Sequence, residues 1–308
     1  MGGGSNLLVA DDEVPGLTLR VATRGIREDS ADMCGGAVVT VAAGERWDDF
    51  VAYAVGRGWV GVEALSGIPG SVGATPIQNV GAYGQEVADT IARVRTWDRV
   101  EGRQVTFAAA DCGFGYRTSR FKEEPGRFVV LEVVFQLEVG DLGRPVRYGE
   151  LARALDVEGG QRAPLAGVRD AVLALRAGKG MVLDAEDPDT WSAGSFFTNP
   201  VLDGEAASRL PEDAPRFEQP DGSVKTSAAW LIEHAGFAKG WGAHLTDGRA
   251  SLSTKHTLAL TNRGGASAED LLRVAGAVRE GVRETYGITL VNEPVLVGCS
   301  LPEGDGGA

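Results

Sequence analysis

Cysteine and histidine are scarce in this chain, which has three of each among 308 residues. The cysteines, Cys34, Cys112 and Cys299, are odd in number and show no CxxC spacing. This pattern argues against a disulfide framework or a zinc site and fits the reducing conditions of the cytoplasm. The histidines are too few and too scattered for a metal cluster, so we predict no metal site.

Long apolar stretches are also missing: no run reaches about 18 residues, and the chain starts with glycines rather than a basic segment. The sequence therefore predicts neither a membrane span nor a signal peptide.

Positively charged residues are fewer than negatively charged ones, with 30 Lys and Arg against 43 Asp and Glu and a net charge of −13. Such a surface repels a phosphate backbone or an anionic membrane, so we expect a cytoplasmic protein without a nucleic-acid partner.

Helix and strand signals alternate along the chain without internal repeats, which predicts an α/β fold. A hydrophobic content of 43% over 308 residues favours two domains. Residues 268–286 are the clearest helix, because Ser267 and Asp270 form a capping pattern and Gly287 can end it. The other predicted helices are 46–58, 165–176 and 226–236, and the predicted strands are 90–98, 127–139 and 288–298, the last at a sheet edge because of Pro294.

Two glycine-rich segments are the most distinctive parts of the sequence. Residues 67–86, GIPGSVGATPIQNVGAYGQE, contain five glycines and a single charge, Glu86, and residues 2–6 read GGGSN. Glycine permits positive φ and lets backbone N–H groups approach a ligand, so these segments suit a phosphate and a flat, largely apolar ligand. Taken alone, such segments are more often plain loops.

Five motifs occur in a fixed order and extend through essentially the whole chain: GGGSNLLV, SGIPGSVGATPIQNVGAYGQE, CGFGYRTSRFK, GSFFTNP and NEPVLVG. Together they resemble the UDP-N-acetylenolpyruvoylglucosamine reductase (MurB) family. The resemblance implies an α/β (α+β) fold, in which an FAD-binding domain of the vanillyl-alcohol-oxidase type carries an inserted α/β substrate-binding domain. It implies that the FAD-binding domain consists of residues 1–184 and of a final strand at 288–300. The substrate-binding domain would lie between them at 185–287, and 301–308 would be a disordered tail.

The resemblance also implies a reaction and its cofactors. Hydride would pass from NADPH to non-covalently bound FAD and then to the enolpyruvyl group of UDP-N-acetylglucosamine enolpyruvate, giving UDP-N-acetylmuramate for peptidoglycan synthesis. The positions that match the family's FAD-binding residues are Gly2, Gly3, Gly4, Ser5, Asn6, Ser66, Gly67, Ile68, Pro69, Gly70, Gly73, Asn79, Gly81, Ala82, Tyr83 and Gly84.

Three residues match catalytic positions of the family. Arg117 would stabilise the negative charge that develops on the substrate, Ser195 would donate a proton, and Glu293 would assist the protonation. From the residues alone, the alternatives are a surface arginine paired with an acid, a turn or capping serine, and a solvated glutamate at the start of a strand.

Seven further positions match the family's substrate-binding groups, namely Tyr116, Tyr148, Lys179, Asn199, Lys225, Lys239 and His256. Lys225 and Lys239 would give an acidic protein a local positive site for an anionic substrate. Two positions depart from the family pattern. His256 stands where glutamine is expected, and Phe217 stands where tyrosine is expected, so one hydroxyl contact to the substrate is lost.

Members of the family carry a further β-α-β segment before the equivalent of residues 2–6. The resemblance therefore implies either a start assigned too late or a truncated form. Two other functions stay open: another FAD oxidoreductase of the same fold, which would not need GSFFTNP or Glu293, and a flavin-free truncated remnant. We expect the protein to be a monomer.

Overall fold

A computed structural model of the chain describes residues 1–32 and 34–302. The predicted tail lies outside these residues from position 303 onward. The strands of the described residues are, in chain order, β1 (Leu7–Val9), β2 (Ile26–Asp32), β3 (Gly36–Ala42), β4 (Trp59–Val60), β5 (Gly81–Ala82), β6 (Gln85–Glu86), β7 (Ile91–Asp98), β8 (Arg103–Ala108), β9 (Phe128–Val139), β10 (Ser192–Ser195), β11 (Val201–Leu202), β12 (Phe217–Glu218), β13 (Val224–Lys225), β14 (Ala250–Leu252), β15 (Ala259–Asn262) and β16 (Val295–Val297). The helices are α1 (Trp47–Gly56), α2 (Arg120–Glu123), α3 (Gly149–Leu155), α4 (Leu165–Gly178), α5 (Gly204–Ser208), α6 (Ala228–His234) and α7 (Ala268–Tyr286).

Contacts within the chain divide it into two compact units. The first contains residues 1–4 and 17–177, and the second contains residues 5–16 and the described residues from 178 onward. This division differs from the predicted one, in which the first boundary lies at 184 and the strand at 288–300 returns to the FAD-binding domain. The C-terminal strand is assigned differently because β16 pairs in parallel with β1. Both strands belong to the second unit. The functional domain boundaries stay a prediction.

An antiparallel sheet forms the centre of the first unit. Its strand order is β2-β3-β9-β7-β8, and β4 pairs with the end of β9. The strands predicted at 90–98 and 127–139 are confirmed as β7 and β9. Along β9, Val133, Phe135 and Leu137 share one face of the strand and are fully buried, and Val134 on the other face is nearly buried as well.

Helix α1 packs on this sheet and fixes the start of a glycine-rich segment. Its predicted inner face is confirmed at Trp47, Phe50, Val51 and Ala54, whereas Val55 is only partly buried. The rings of Phe50 and Phe135 lie 4.8 Å apart. Trp47 Nε1 donates a hydrogen bond of 2.9 Å to the carbonyl of Leu65, the residue before Ser66. Burial of each such side chain contributes about 1.5–3 kcal/mol to stability. The segment that follows Leu65 therefore begins at a firmly packed part of the first unit.

The second unit contains two three-stranded sheets, β10-β15-β14 and β11-β13-β12, and the β1-β16 pair. Helix α7 is confirmed at its predicted bounds. Ser267 Oγ accepts from Asp270 N at 3.1 Å, Asp270 Oδ2 accepts from Ser267 N at 3.2 Å, and Gly287 ends the helix at φ +68°. Among the described residues, no helix has the length and apolar character needed to cross a membrane.

The predicted C-terminal strand is confirmed only in part. Regular pairing is restricted to β16, where Val295 lies beside Leu7 and Leu296 beside Leu8. Pro294 cannot donate a ladder hydrogen bond, so the strand begins after it. Before the proline, Asn292 forms an isolated antiparallel bridge with Phe197.

Candidate active site

In the first unit, the two glycine-rich segments lie against each other. A Cβ on Gly3 would lie 3.0 Å from the Cα of Gly70, and a Cβ on Gly2 would overlap the hydroxyl of Ser71. The start of the chain is also held, because the Met1 carbonyl accepts from Val21 N at 2.9 Å. These glycines are therefore required by the close approach of two backbone segments.

The second glycine-rich segment is fixed to β3 and α1 by backbone hydrogen bonds. Gly73 N donates to the Ala43 carbonyl at 2.8 Å, and Trp47 N donates to the Gly70 carbonyl at 3.0 Å. A Cβ on Gly73 would lie 2.9 Å from the Cα of Ala43 and 3.0 Å from its carbonyl oxygen. The turn has no room to move towards the sheet.

Asp48 of α1 holds the first glycine of this segment. It accepts from Gly67 N at 2.6 Å and from both terminal nitrogens of Arg169 at 2.7 and 2.9 Å. Burial alone would raise the pKa of Asp48, but the hydrogen bonds from Arg169 and Gly67 outweigh burial and hold the pKa below its usual value. An ionised carboxylate therefore fixes the Gly67 turn.

The side chains of Ser66 and Asn79 are engaged inside the protein. Ser66 Oγ donates to the Glu63 carbonyl at 2.7 Å. The Asn79 amide donates to Glu86 Oε2 at 2.7 Å and to the Gly115 carbonyl at 3.0 Å, and its oxygen accepts from Ala88 N at 3.1 Å. Their predicted role in binding FAD therefore rests on their backbone groups.

Arg117 is held on the same segment. Its Nη2 donates to the Gly81 carbonyl at 2.6 Å, and its guanidinium lies 5.5 Å from the centre of the Tyr116 ring. The backbone of Arg117 has φ +54°, a conformation that is uncommon for a residue with a side chain. Backbone strain of this kind is frequent at functional sites, and the catalytic role of Arg117 stays a prediction. The predicted substrate residue Tyr148 is about half exposed and meets Tyr83 edge to face at 5.5 Å.

Arg176 was not predicted from the sequence, although the structure places it beside the glycine-rich segment. The residue is only 9% exposed, and its Nε lies 3.4 Å from the position that a Cβ on Gly67 would take. Burial lowers the pKa of Arg176. A signal was present, because Arg176 continues the buried stripe of Leu165, Val168 and Val172 at helical spacing.

These features of the first unit fit FAD. Residues 67–85 contain no charged side chain, and the two glycine-rich segments meet at Gly3 and Gly70. Gly4 and Gly84 adopt φ +79° and +84° and have only ordinary contacts at the Cβ position, so their glycine identity follows from backbone conformation. An uncharged surface rich in backbone amides suits a flavin and its pyrophosphate.

In the second unit, Ser195 lies at the end of β10, where the pairing with β15 is irregular. The register shifts between Ser192 and Ser195, and Gly194 adopts φ +78°. Directly after Ser195, Phe196 and Phe197 are buried with ring centres 5.1 Å apart. Irregular pairing of this kind redirects side chains and is frequent beside active sites, and the buried pair anchors the serine.

Glu293 lies in the segment just before β16, beside the residue that follows Ser195. Its backbone N donates to the Phe196 carbonyl at 2.8 Å, so the two predicted proton-transfer residues are on neighbouring chain segments. Asn6 is part of the same arrangement, because its amide donates to the Glu293 carbonyl at 3.4 Å and its carbonyl accepts from Val295 N at 3.0 Å. The structure thus places Ser195, Glu293 and Asn6 on neighbouring chain segments of the second unit.

The predicted substrate residues of the second unit lie on several turns and strands. Asn199 Oδ1 accepts from Ala228 N at 2.9 Å, so it also caps the start of α6. Lys225 of β13 lies opposite Phe217 of β12, which links the lysine to the position that departs from the family pattern. The predicted residues Lys239 and His256 lie on turns that share Ser253. Its carbonyl accepts from Gly240 N at 3.2 Å, and its hydroxyl accepts from His256 N at 3.2 Å.

Lys179 lies in the turn after α4, immediately before Gly180.

Within the described residues, no group of three His, Cys, Asp or Glu side chains is placed to hold a metal ion.

Comparison with known proteins places this architecture in a class. A family model described as "FAD binding domain" matches residues 1–108, and one described as "UDP-N-acetylenolpyruvoylglucosamine reductase, C-terminal domain" matches residues 186–297. The fold and the cofactor domain define a flavin-dependent oxidoreductase.

Individual relatives agree with the family models. A protein of Cutibacterium acnes named UDP-N-acetylenolpyruvoylglucosamine reductase is 60% identical over 98% of this chain and 79% of its own length. A protein of the same name from Streptomyces coelicolor is 57% identical over the same shares. The crystal structure of UDP-N-acetylenolpyruvylglucosamine reductase from Thermus caldophilus matches with a TM-score of 0.61 and 25% identity over 96% of this chain and 84% of that chain. The chain belongs to the UDP-N-acetylenolpyruvoylglucosamine reductase family.

Replacing Gly73 with alanine tests the packing of the glycine-rich turn. The new methyl group would press on the Ala43 backbone, so we expect the free energy of unfolding to fall by about 1–3 kcal/mol. FAD should also bind more weakly, because the turn must shift. The matched control is Gly159→Ala, since Gly159 lies in the same unit and a methyl group on it would meet no neighbour within 4 Å. Lower stability with unchanged FAD affinity in a fluorescence titration would contradict a cofactor role for this turn.

Proposed function

We propose that the chain catalyses the NADPH-dependent reduction of the enolpyruvyl group of UDP-N-acetylglucosamine enolpyruvate to give UDP-N-acetylmuramate. The observation that supports this reaction best is the hydrogen bond from Glu293 N to the Phe196 carbonyl, which sets Ser195 and Glu293 on neighbouring segments. A serine and a carboxyl group in this arrangement suit the protonation of a carbanion. The product would serve peptidoglycan precursor synthesis.

FAD, when bound by residues of the two glycine-rich segments, supplies hydride transfer between NADPH and the enolpyruvyl carbon. The residues of the chain then have to stabilise negative charge beside the substrate carboxylate and deliver a proton. A guanidinium offers several donors in a planar fork, so Arg117 is suited to the developing enolate. Its bond to the Gly81 carbonyl fixes the side chain to the proposed flavin segment.

Ser195 is the proposed proton donor. A serine hydroxyl is a weak acid in water, so it must be held in position and assisted by neighbouring groups. The buried side chains of Phe196 and Phe197 hold the backbone after Ser195, and Glu293 is the proposed assisting carboxyl group. Asn6 bonds to the Glu293 carbonyl and thereby fixes the backbone of that glutamate.

The proposed substrate residues supply charge and hydrogen bonds for an anionic nucleotide sugar. They are Tyr116, Tyr148, Lys179, Asn199, Lys225, Lys239 and His256. With a net charge of −13, the protein needs local cations to attract such a substrate. We further propose that the protein acts in the cytoplasm as a monomer.

A spectroscopic experiment tests this function against its two alternatives. The purified protein should be yellow, NADPH should bleach the flavin band under anaerobic conditions, and UDP-N-acetylglucosamine enolpyruvate should restore it. UDP-N-acetylglucosamine, which lacks the enolpyruvyl group, is the matched control and should leave the flavin reduced. A colourless protein that takes up no FAD would favour a flavin-free remnant. Reoxidation only by other acceptors would favour another FAD oxidoreductase.

Neutralising Lys225 or Lys239 is expected to raise the KM for the substrate. Loss of a charged hydrogen bond costs about 1.5–3 kcal/mol. This cost corresponds to a KM increase of about 10- to 150-fold. We would measure steady-state kinetics and flavin content of Lys225→Met and Lys239→Met. The control is Arg103→Met, which removes an exposed cation of β8. Loss of bound FAD in the lysine variants would show that these residues serve the cofactor instead of the substrate.

A further inference from the structure

We propose that Asp189 is a positioning residue of the substrate site, a role that rests on the proposed function. The aspartate lies in the short helical turn at residues 188–190, just before the strand that ends at Ser195. Its carboxylate bonds to the loop Ser253–His256, and its backbone packs against the turn formed by Lys179 and Gly180. Both elements carry residues proposed to bind substrate.

The carboxylate of Asp189 is a buried hydrogen-bond acceptor with several donors. Its side chain is only 4% exposed. It accepts from Thr254 N at 2.9 Å, from the Thr254 hydroxyl, and from Arg263 Nη1 at 3.0 Å. Burial alone would raise the pKa of Asp189, but the hydrogen bonds from Thr254 and Arg263 hold the pKa below its usual value. The group is therefore ionised and bonded at neutral pH.

The bonds from Thr254 fix the loop that carries His256. Within that loop, Ser253 Oγ accepts from Lys255 N at 3.0 Å and from His256 N at 3.2 Å. The Ser253 carbonyl accepts from Gly240 N, next to Lys239. Displacement of Thr254 would therefore change the positions of both His256 and the Lys239 turn.

The backbone of Asp189 packs against the turn that carries Lys179. Gly180 adopts φ +68°, and a Cβ on it would lie 3.0 Å from the Asp189 carbonyl oxygen and 3.2 Å from the Asp189 Cβ. This close packing leaves the turn no freedom on that side. Through Arg263, which follows β15, Asp189 is also tied to the strand that pairs with the Ser195 strand. The carboxylate of Asp189 thus binds two other segments, through Thr254 and Arg263, and its backbone packs against a third, the Gly180 turn.

The alternative is a carboxylate that only stabilises the fold, and a second aspartate of the same unit provides the comparison. Asp270 is equally buried and accepts two hydrogen bonds from Arg249, at 2.9 and 3.2 Å. It also accepts from Ser267 N at the start of α7, and neither partner belongs to the Ser253–His256 loop. Removing either buried charge weakens its bonds to an arginine, Arg263 or Arg249, and Arg249 keeps Asp247 as a second partner. Both variants should therefore lose some stability.

The experiment compares Asp189→Asn with Asp270→Asn in the FAD-loaded full chain. We expect Asp189→Asn to raise the KM for UDP-N-acetylglucosamine enolpyruvate about 10- to 100-fold, the range of a lost charge-assisted contact, while kcat changes by less than about fivefold. Flavin content should stay unchanged. Asp270→Asn should lower the thermal midpoint and leave KM unchanged. Thr254→Val, which removes one hydroxyl donor to Asp189, should raise KM by a smaller factor and provides a second test if Asp189→Asn does not fold.

Amide hydrogen exchange supplies a readout that does not depend on substrate. Exchange in a peptide covering 253–258 should be faster in Asp189→Asn, which weakens the bonds from Thr254, and unchanged in Asp270→Asn. Faster exchange with an unchanged KM, or an equal KM increase in both variants, would overturn the proposal. If the wild-type protein does not reduce the substrate, the proposed function fails, while the exchange data still decide whether Asp189 holds the Ser253–His256 loop.

Discussion

Replacing Ser195 with alanine is expected to separate the two half-reactions. NADPH should still reduce the flavin at a near-normal rate, because that step needs no proton donor at the substrate. Reoxidation by UDP-N-acetylglucosamine enolpyruvate should slow by about 10²-fold or more, the contribution of a positioned general acid. The fold should be retained, since Phe196 and Phe197 keep their buried positions beside the substituted residue.

Stopped-flow absorbance at the flavin band measures each half-reaction by itself. Thr198→Val is the matched control, because it removes a hydroxyl of the same segment that donates to the Val291 carbonyl at 3.3 Å. The control should leave both rates within a few-fold of wild type. Equal slowing of both half-reactions in Ser195→Ala would remove Ser195 from the role of proton donor.

The regular elements follow from local sequence rules, which is why they could be predicted. In α7, Ser267, Asp270 and Gly287 satisfy the backbone groups at both ends, and all of the information lies within 21 residues. The β-branched and aromatic content of residues 127–139 identified β9, again from local sequence alone. The pairing of β16 with β1 was not predicted, because it joins Leu7 to Val295, and periodicity contains no information about partners so distant in sequence.

The candidate site was predicted only through the resemblance. Spacing alone could not separate Arg117 from a surface arginine or Ser195 from a turn serine. Tertiary structure supplied what the motifs omit: the buried Asp189 that accepts from Thr254, and Arg176 beside Gly67. Both are charged residues that are buried, which is uncommon. Arg176 continues the buried stripe of α4, whereas only contacts between distant segments explain the burial of Asp189.

Replacing Arg117 with lysine should strongly reduce the rate of substrate reduction while keeping the positive charge. Lysine has a single, flexible ammonium group, so it cannot hold the Gly81 carbonyl and also present planar donors to a developing enolate. Loss of such preorganised donors typically lowers kcat by about 10²–10³-fold. The φ of +54° stays equally unfavourable for lysine, so the substitution changes the side-chain donors without relieving backbone strain.

The matched control for Arg117 is Arg120→Lys, three residues further along the chain. The Arg120 guanidinium lies 4.9 Å from the centre of the Phe107 ring, and it has no proposed role in the reaction. We expect the control to keep wild-type rates, and we expect both variants to bind FAD with wild-type affinity in a fluorescence titration. In Arg117→Lys, flavin reduction by NADPH should be near normal, and reoxidation by the substrate should account for the whole loss. If Arg117→Lys instead loses FAD, and its rate recovers when FAD is added in excess, the arginine serves only to hold the Gly81 segment and takes no part in stabilising the enolate.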